Sequence, residues 1–207
     1  MRDDEGGNVP TLAFLAPLSP FALATVLAGA AGSATPANPI VDPGFEAEGA
    51  AGAFTAWSDC GTVPATLENA SVRAGRWAVT LGTATGGEIA GDASVCQHVV
   101  IPQARRVMLE YWASASSTES GTAHAYQEVA FYDGMAAPDK STPYAVLVRD
   151  VATTHGFAHY MFDITQFSGE TLFLAFGVHG DGYAGAHTSF TIDDVSIVVE
   201  GAMVPPN

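Results

Sequence analysis

The stretch RVMLEYWASA (Arg106–Ala115) carries the residue pattern on which the fold prediction depends. Side chains of a β-strand point alternately to its two faces, so two interleaved sets of residues mark a strand that separates two environments. The two sets are Val107, Leu109 and Tyr111 against Met108, Glu110 and Trp112. If the first set faces a core, Glu110 and Trp112 face the other side of the sheet.

Short runs of this kind follow one another from Asn38 to Val199, separated by Gly, Pro, Asp and Ser. Strand-like runs with turn residues at near-regular spacing predict an all-β fold, an antiparallel β-sandwich. A short helical turn is expected only around Asp163–Gly169. The other runs predicted as strands are Trp77–Gly82, Ser94–Ile101, Ala125–Asp133, Tyr144–Asp150, His159–Ile164, Thr171–His179 and Ser189–Val199.

The composition excludes several classes of protein. The chain has 207 residues, 48% hydrophobic and 14% charged, with a formal net charge of −15. Such a surface repels phosphate backbones and anionic lipid head groups, which argues against a nucleic-acid partner. High apolar content with low charge density also argues against intrinsic disorder. The length suits one domain with short extensions.

The N-terminal part reads as a targeting segment. Thr11–Ala31 is an apolar run followed by small residues, which is typical of a secretory signal peptide cleaved near Ala34 or Ala37. The leader carries one Arg and three acids, and the run is about long enough to span a bilayer, so a retained membrane anchor is the alternative. We therefore predict a signal peptide or apolar segment over 1–37, a sandwich domain over 38–200, a tail over 201–207, and a secreted, periplasmic or cell-surface location. A membrane partner follows only if the segment is retained.

Cys60 and Cys96 are the two cysteines of the chain. An even count in an exported protein favours a disulfide between them. The alternative is two separate buried thiols.

Six stretches after residue 38 occur in an order that is also found in a known family. They are NPIVDPGFEAEG (Asn38–Gly49), SVRAGRWAVTLG (Ser71–Gly82), SVCQHVVIP (Ser94–Pro102), MLEYWA (Met108–Ala113), DITQFSGETLFLAF (Asp163–Phe176) and SFTIDDVSI (Ser189–Ile197). The series resembles the calcium-bound jelly-roll carbohydrate-binding modules, which are galactose-binding-like β-sandwiches of exported bacterial proteins and glycoside hydrolases. The resemblance implies a jelly-roll fold and places Cys60 and Cys96 on neighbouring segments at one sheet edge.

The resemblance also implies a structural Ca²⁺ between the first and last strands. Its side-chain ligands would be Glu46 and Asp193, with backbone carbonyls offered near Asp42 and Arg73–Gly75, which suits the oxygen preference of calcium. Asp42 stands where the family usually has Asn and would add a ligand. Asp194 is the second choice, because strand alternation points it away from Asp193. The alternative is a solvated acidic pair without a metal.

Aromatic residues are the candidate ligand contacts, because sugar rings stack on exposed aromatic faces while amides and carboxylates bind their hydroxyls. Trp112 and Tyr126 fall on predicted middle strands with Glu128 nearby, and Tyr183 lies in a Gly-rich loop. We predict these four as ligand-binding residues for a carbohydrate or cell-surface glycan. Core packing is the competing interpretation for Trp112.

The sequence contains no G-x-S-x-G elbow, Walker-type loop or HExxH helix, so we expect a binding domain and no enzyme. A carboxylate pair such as Glu110 and Glu128 on facing strands would be needed for a small glycosidase. The alternative function is that of a cell-surface structural or assembly protein that uses the same sandwich for protein–protein contacts.

Overall fold

Ten β-strands account for half of the residues that the computed structural model describes, which are 37–133 and 142–202. All of these residues belong to the unit Ser33–Asn207. The elements are α1 (Glu46–Ala51), β1 (Ser58–Asp59), β2 (Thr66–Glu68), β3 (Ala78–Gly82), β4 (Gly91–Val100), β5 (Ala104–Ser117), β6 (Tyr126–Asp133), β7 (Ala145–Asp150), β8 (Ala158–Asp163), a 3-10 turn (Thr165–Phe167), β9 (Thr171–Gly180) and β10 (Thr188–Ala202).

The strands form two five-stranded sheets that pack face to face. The front sheet has the order β1-β4-β9-β6-β7, and the back sheet has the order β2-β3-β10-β5-β8. Neighbouring strands in both sheets run antiparallel. The predicted all-β antiparallel sandwich is therefore confirmed, and the turn expected within Asp163–Gly169 is the 3-10 turn.

The core lies between the inner faces of the two sheets, as the alternation in β5 predicts. Leu109 and Tyr111 are fully buried, while Glu110 and Trp112 stand on the outer face of the back sheet. The Tyr111 ring meets Phe176 of the front sheet at 5.0 Å between ring centroids, edge to face. Aromatic pairs in this geometry add to the stabilisation that burial of apolar area gives.

Helix α1 is not predicted from the sequence, because its residues show no helical repeat of apolar side chains. The Asp42 side chain accepts hydrogen bonds from the amides of Glu46 (3.0 Å), Ala47 (2.9 Å) and Glu48 (3.0 Å). These amides have no partner inside the helix, so an acceptor placed before the first turn stabilises it. Glu48 is buried and accepts from the amide of Trp57 at 3.0 Å, which attaches the helix to the chain that enters β1.

Cys60 and Cys96 are joined by a disulfide with a Cα–Cα separation of 6.0 Å, which confirms the predicted pairing. Cys60 follows β1 directly, and β1 pairs with β4 around Cys96. The bond fixes the segment after β1 to the edge of the front sheet.

The chain before α1 lies against β10. The Asn38 side chain donates to the carbonyl of Val195 (3.1 Å) and accepts from the amide of Ile197 (3.0 Å). Beside this contact β10 shifts register between Asp193 and Ser196, and Asp194 takes a positive φ of 51°. An irregularity of this kind re-aims the side chains around it.

The boundaries differ slightly from the predicted ones. Strand β10 continues to Ala202, two residues into the predicted tail. The predicted targeting segment and the rest of the tail lie outside the described residues, apart from residue 37. Among the described residues, no helix combines the length and apolar character needed to cross a membrane.

Candidate functional site

The outer face of the front sheet carries two rows of side chains that cross its strands. Asp92 of β4, His179 of β9 and Tyr126 of β6 are cross-strand neighbours and form the first row. The second row consists, in the strand order β4, β9, β6 and β7, of Ser94, Gly177, Glu128 and Arg149. Both rows face away from the core, because alternate residues of each strand supply the core.

A groove of about 300 Å³ lies along these rows. Small residues such as Ser94, Ala175 and Gly177 lie across its middle. The segment Cys60–Thr62 flanks it beside β4, and Arg149 flanks it from β7. Small residues between larger neighbours give the face its depth, and Cys60 of the disulfide is part of the groove lining.

A charge pair on the second row organises the groove. Arg149 donates to one oxygen of Glu128 from its Nε (2.7 Å) and from a terminal nitrogen, while the Tyr132 hydroxyl lies 3.3 Å from the other oxygen. The hydrogen bond to Glu128 raises the pKa of Arg149, and burial followed by the charge of Glu128 raises the pKa of Tyr132. The side chains are 12% exposed for Glu128 and 42% for Arg149, so the carboxylate is held while the guanidinium stays accessible.

Tyr126 is held between two neighbours. The His179 ring stacks on it at 5.0 Å between centroids, and the Arg149 guanidinium carbon lies 4.7 Å from the ring centroid. These residues come from β9 and β7, the strands on either side of β6, and therefore approach Tyr126 from opposite sides. Burial raises the pKa of Tyr126. In this arrangement, the ring offers a ligand its edge and hydroxyl.

Two His–Asp pairs lie at the end of the first row. His179 Nδ1 is 2.8 Å from an oxygen of Asp92, and His124 Nδ1 is 2.8 Å from an oxygen of Asp181. The backbone amide of Tyr183 and the His124 side chain hold the pKa of Asp181 below its usual range. Asp92 and His179 line the groove, so this pair presents polar groups there in fixed orientations.

Tyr126 and Glu128, two of the predicted ligand-binding residues, both line the groove. Trp112 stands on the outer face of the back sheet, so the structure does not bring it to them. Its ring stacks on His159 at 4.8 Å, and the Arg73 guanidinium lies 4.4 Å from its centroid. Trp112 is therefore packed among polar neighbours at a separate place.

Tyr183 lies in the loop between β9 and β10, is 63% exposed and is not among the residues that line the groove. Glu110 and Glu128 lie on opposite outer faces of the sandwich, because β5 belongs to the back sheet and β6 to the front sheet. The carboxylate pair considered for a glycosidase is therefore not assembled around one bond.

Four groove residues, Asp92, Arg149, Gly177 and His179, were not among the predicted contacts. Their outward positions follow from strand alternation, but their meeting depends on the register of β4, β9 and β7 against one another. Arg149 could have been chosen as a candidate from the sequence because basic residues are rare in it: the chain has only seven Lys and Arg residues in all.

The residues expected to bind calcium form a second, separate place in the fold. One oxygen of Glu46 accepts from the amides of Arg76 (2.7 Å) and Trp77 (3.0 Å), and one oxygen of Asp193 accepts from those of Arg73 (2.9 Å) and Ala74 (3.2 Å). Asp193 is fully buried, and this desolvation raises its pKa.

Glycine is required at the turn that faces these carboxylates. Gly75 has a φ of 66°, and a Cβ there would lie 2.2 Å from an oxygen of Glu46. A Cβ at Gly44 would lie 3.6 Å from one oxygen each of Asp193 and Asp194. The expectation that alternation turns Asp194 away from Asp193 is therefore wrong, because the register shift in β10 brings both carboxylates to Gly44. The Asp194 carboxylate also pairs with Arg73 at 2.6 Å.

Within the part of the chain that the structure describes, no three His, Cys, Asp or Glu side chains are grouped as a metal centre. Both carboxylate oxygens of Asp42 accept amides of α1, which gives this residue a capping role.

The sequence matches no protein-family model and no curated protein. Among solved structures, the chain is similar to a family 61 carbohydrate-binding module in complex with β-1,4-galactotriose, with 15% identity, a TM-score of 0.52, and coverage of 80% of this chain and 100% of that one. It is also similar to a family 16 carbohydrate-binding module (15% identity, TM-score 0.47, 78% and 99% covered) and to a xylan-binding family 22 module from Paenibacillus barcinonensis (13%, 0.43, 71% and 87%).

Proposed function

We propose that this protein is an exported, non-catalytic domain that binds a neutral carbohydrate chain in the front-sheet groove. Its fold is the jelly-roll β-sandwich that carbohydrate-binding modules share. The observation that carries the proposal is the groove itself, a depression with a floor of small residues and a rim of oriented hydrogen-bonding groups. Ligand sites typically combine such a concave shape with a few fixed polar groups.

The charges of the groove favour a neutral ligand. Glu128 and Asp92 offer acceptors for sugar hydroxyls, and the accessible guanidinium of Arg149 offers donors. The whole chain carries a net charge of −15, which repels an acidic polysaccharide. Because Glu128 is already oriented by Arg149 and Tyr132, a ligand gains its hydrogen bonds without ordering that side chain.

The covered faces of Tyr126 set the mode of contact. A sugar ring cannot stack on Tyr126 while His179 and Arg149 keep their positions, so we infer that binding uses hydrogen bonds and the apolar edges of Tyr126 and Tyr132. This mode suits a soluble, single chain better than a flat crystalline surface.

Filling the groove tests the proposal. A Cβ at Gly177 would meet only ordinary contacts, at 3.6 Å from the Ser94 Cβ and 3.7 Å from the Ala93 carbonyl oxygen, so Gly177→Val is expected to fold. Calorimetric titration with a panel of neutral oligosaccharides, including galactan, xylan and glucan fragments, is expected to find a ligand whose affinity falls at least about tenfold in this variant.

The matched control is Ser114→Val, which adds a similar side chain to a strand on the outer face of the back sheet. It should bind like the wild type. Equal binding by the Gly177 variant would contradict the groove assignment, and no binding of any panel member would contradict the carbohydrate assignment.

We further infer that Glu46 and Asp193, together with backbone carbonyls near Asp42 and Arg73–Gly75, hold a structural calcium ion near the turn at Gly75. The donor set fits, because calcium prefers carboxylate and carbonyl oxygens, and an oxygen that accepts an amide retains a second lone pair. Burial of Asp193 without a contacting cationic side chain among the described residues leaves a charge that a cation would compensate. Bound calcium would supply charge neutralisation between the chain start and β10.

Melting in the presence of calcium and of excess chelator tests this inference. The wild type should melt higher with calcium, and Glu46→Gln should lose most of the difference. Identical midpoints for the wild type would remove the calcium proposal without affecting the groove.

A further inference from the structure

Tyr183 combines an exposed ring with a fixed backbone. It is 63% exposed and lies in the loop 181–187, which joins β9 to β10. Its amide donates to the Asp181 carboxylate at 2.9 Å, and its carbonyl accepts from the amides of Glu88 (3.2 Å) and Ala186 (3.3 Å). These hydrogen bonds hold the residue in place although its side chain projects into solvent.

The glycine at position 185 lets the backbone lie against one side of this ring. A Cβ at Gly185 would lie between 2.8 and 3.0 Å from Cε1, Cζ and the hydroxyl oxygen of Tyr183, so a side chain there would displace the ring. Within the described part of the chain, no aromatic ring or guanidinium is stacked on Tyr183, whereas His179 and Arg149 cover Tyr126. The side of Tyr183 that is turned away from Gly185 is therefore open to a ligand.

Tyr183 continues the groove in the direction of the strands. Asp181 pairs with His124 at 2.8 Å, just beyond the cross-strand neighbours His179 and Tyr126. The amide of Tyr183, and after it the side chains of His124 and His179, lower the pKa of Asp181, which agrees with their closeness. Successive side chains on one face of a strand lie about 7 Å apart, so the His124–Asp181 pair adds one row to the groove and Tyr183 follows it.

We propose that Tyr183 is the stacking platform of an outer sugar subsite, so that a carbohydrate chain bound in the groove runs along β6 and β9 toward the loop 181–187. The C–H groups on one side of a pyranose ring pack against an exposed aromatic face, and its hydroxyls would meet the polar His124–Asp181 pair. This inference rests on the proposed carbohydrate binding and adds the direction of the bound chain.

The length of the groove makes the subsite dependent on the size of the ligand. Four residues separate Gly177, in the middle of the groove, from Asp181, which corresponds to roughly 13 Å of strand. One sugar ring is shorter than this distance. We therefore expect that only a chain of several sugar residues occupies the groove and the outer subsite together, and that affinity rises with chain length.

Calorimetric titration with oligosaccharides of increasing length tests the subsite. The probes are galactan, xylan and glucan fragments from disaccharide to hexasaccharide. Tyr183→Ala removes the ring and is expected to weaken hexasaccharide binding about threefold to tenfold more than disaccharide binding, as the loss of one aromatic contact does. Tyr183→Phe keeps the ring and should bind both probes like the wild type.

Met161→Ala is the matched control, because it removes another exposed side chain, at 54%, from strand β8 of the back sheet. It should bind both probes like the wild type. Nuclear magnetic resonance gives a second readout on the wild type. The amide signals of Gly182 and Gly185 should shift with the hexasaccharide and stay in place with the disaccharide.

Each outcome separates this inference from the proposed function. An unchanged hexasaccharide affinity in Tyr183→Ala, with loop signals that stay in place, would overturn the outer subsite and leave the groove assignment standing. An equal loss for disaccharide and hexasaccharide would overturn the dependence on length, because Tyr183 would then act within the groove itself. If no probe binds the wild type, the proposed function and this inference are both wrong.

Discussion

Replacing both Cys60 and Cys96 by alanine is expected to destabilise the domain while leaving the groove in place. The disulfide links residues 36 positions apart, and the chain-entropy relation gives about 4 kcal/mol of stabilisation for a loop of that length. For a domain of this size, this amounts to a fall in melting midpoint of about 8–16 °C. The loss arises in the unfolded state, which gains freedom when the link is removed.

Hydrogen bonds hold the groove segment independently of the disulfide. The amide of Cys60 donates to the Ser94 carbonyl at 2.9 Å, the amide of Val63 donates to the Asp92 carbonyl at 2.9 Å, and the amide of Asp92 donates to the Thr62 hydroxyl at 3.1 Å. We therefore expect any carbohydrate affinity found for the wild type to change by less than about tenfold in the double variant.

Urea unfolding followed by tryptophan fluorescence gives the free energy of unfolding and the m-value. A larger m-value in the double variant would agree with a more expanded unfolded chain. The wild type under reducing conditions is the control and should behave like the double variant. A loss of less than about 1 kcal/mol would refute the loop-entropy reasoning. A full loss of ligand binding at temperatures where the variant is folded would refute the role given to the hydrogen bonds.

Three further perturbations test other parts of the structure. Asn38→Ala removes the side chain that bonds twice to β10 and should cost about 1–3 kcal/mol in urea unfolding; an unchanged midpoint would show that these bonds do not hold the chain start. Gly49→Ala places a Cβ 2.0 Å from the indole of Trp77, so we expect about 1–3 kcal/mol of destabilisation, and a neutral effect would mean that the ring moves freely. Bonds from Thr165 hold the pKa of Asp163 below its ordinary value, so the stability that this carboxylate gives is present above about pH 4 and is lost as the pH falls through its folded-state pKa. The melting difference between wild type and Asp163→Asn should therefore shrink on acidification, and a difference that does not depend on pH would contradict this.

Much of the strand content could be predicted from the sequence, because alternation is a local property. In β5, the residues expected to face inward are buried, and Glu110 and Trp112 face outward as expected, although Met108 of the outward set is also buried. Helix α1 and the short strands β1 and β2 could not be predicted in this way. These elements form because of particular contacts that alternation does not describe. Asp42 caps α1, and β1 is held by its pairing with β4, which is distant in sequence.

The candidate site could be predicted only in part. Alternation places Tyr126 and Glu128 on one face of β6, and the structure agrees. Alternation does not determine which strands lie beside β6. The order of the strands in the two sheets decides that Arg149 meets Glu128 and that Trp112 lies on the other sheet. Alternation also fails at Asp194, because one irregular position in β10 reverses the direction of its side chain.

The bonds between Asn38 and β10 have a consequence for how the domain can be built into larger molecules. Because Asn38 contacts Val195 and Ile197, the polypeptide enters the sandwich beside the strand along which it leaves. Here both points belong to the back-sheet side, whereas the groove lies on the front sheet. A fusion at either point, or an insertion into a surface loop of another protein, would therefore leave the groove facing solvent.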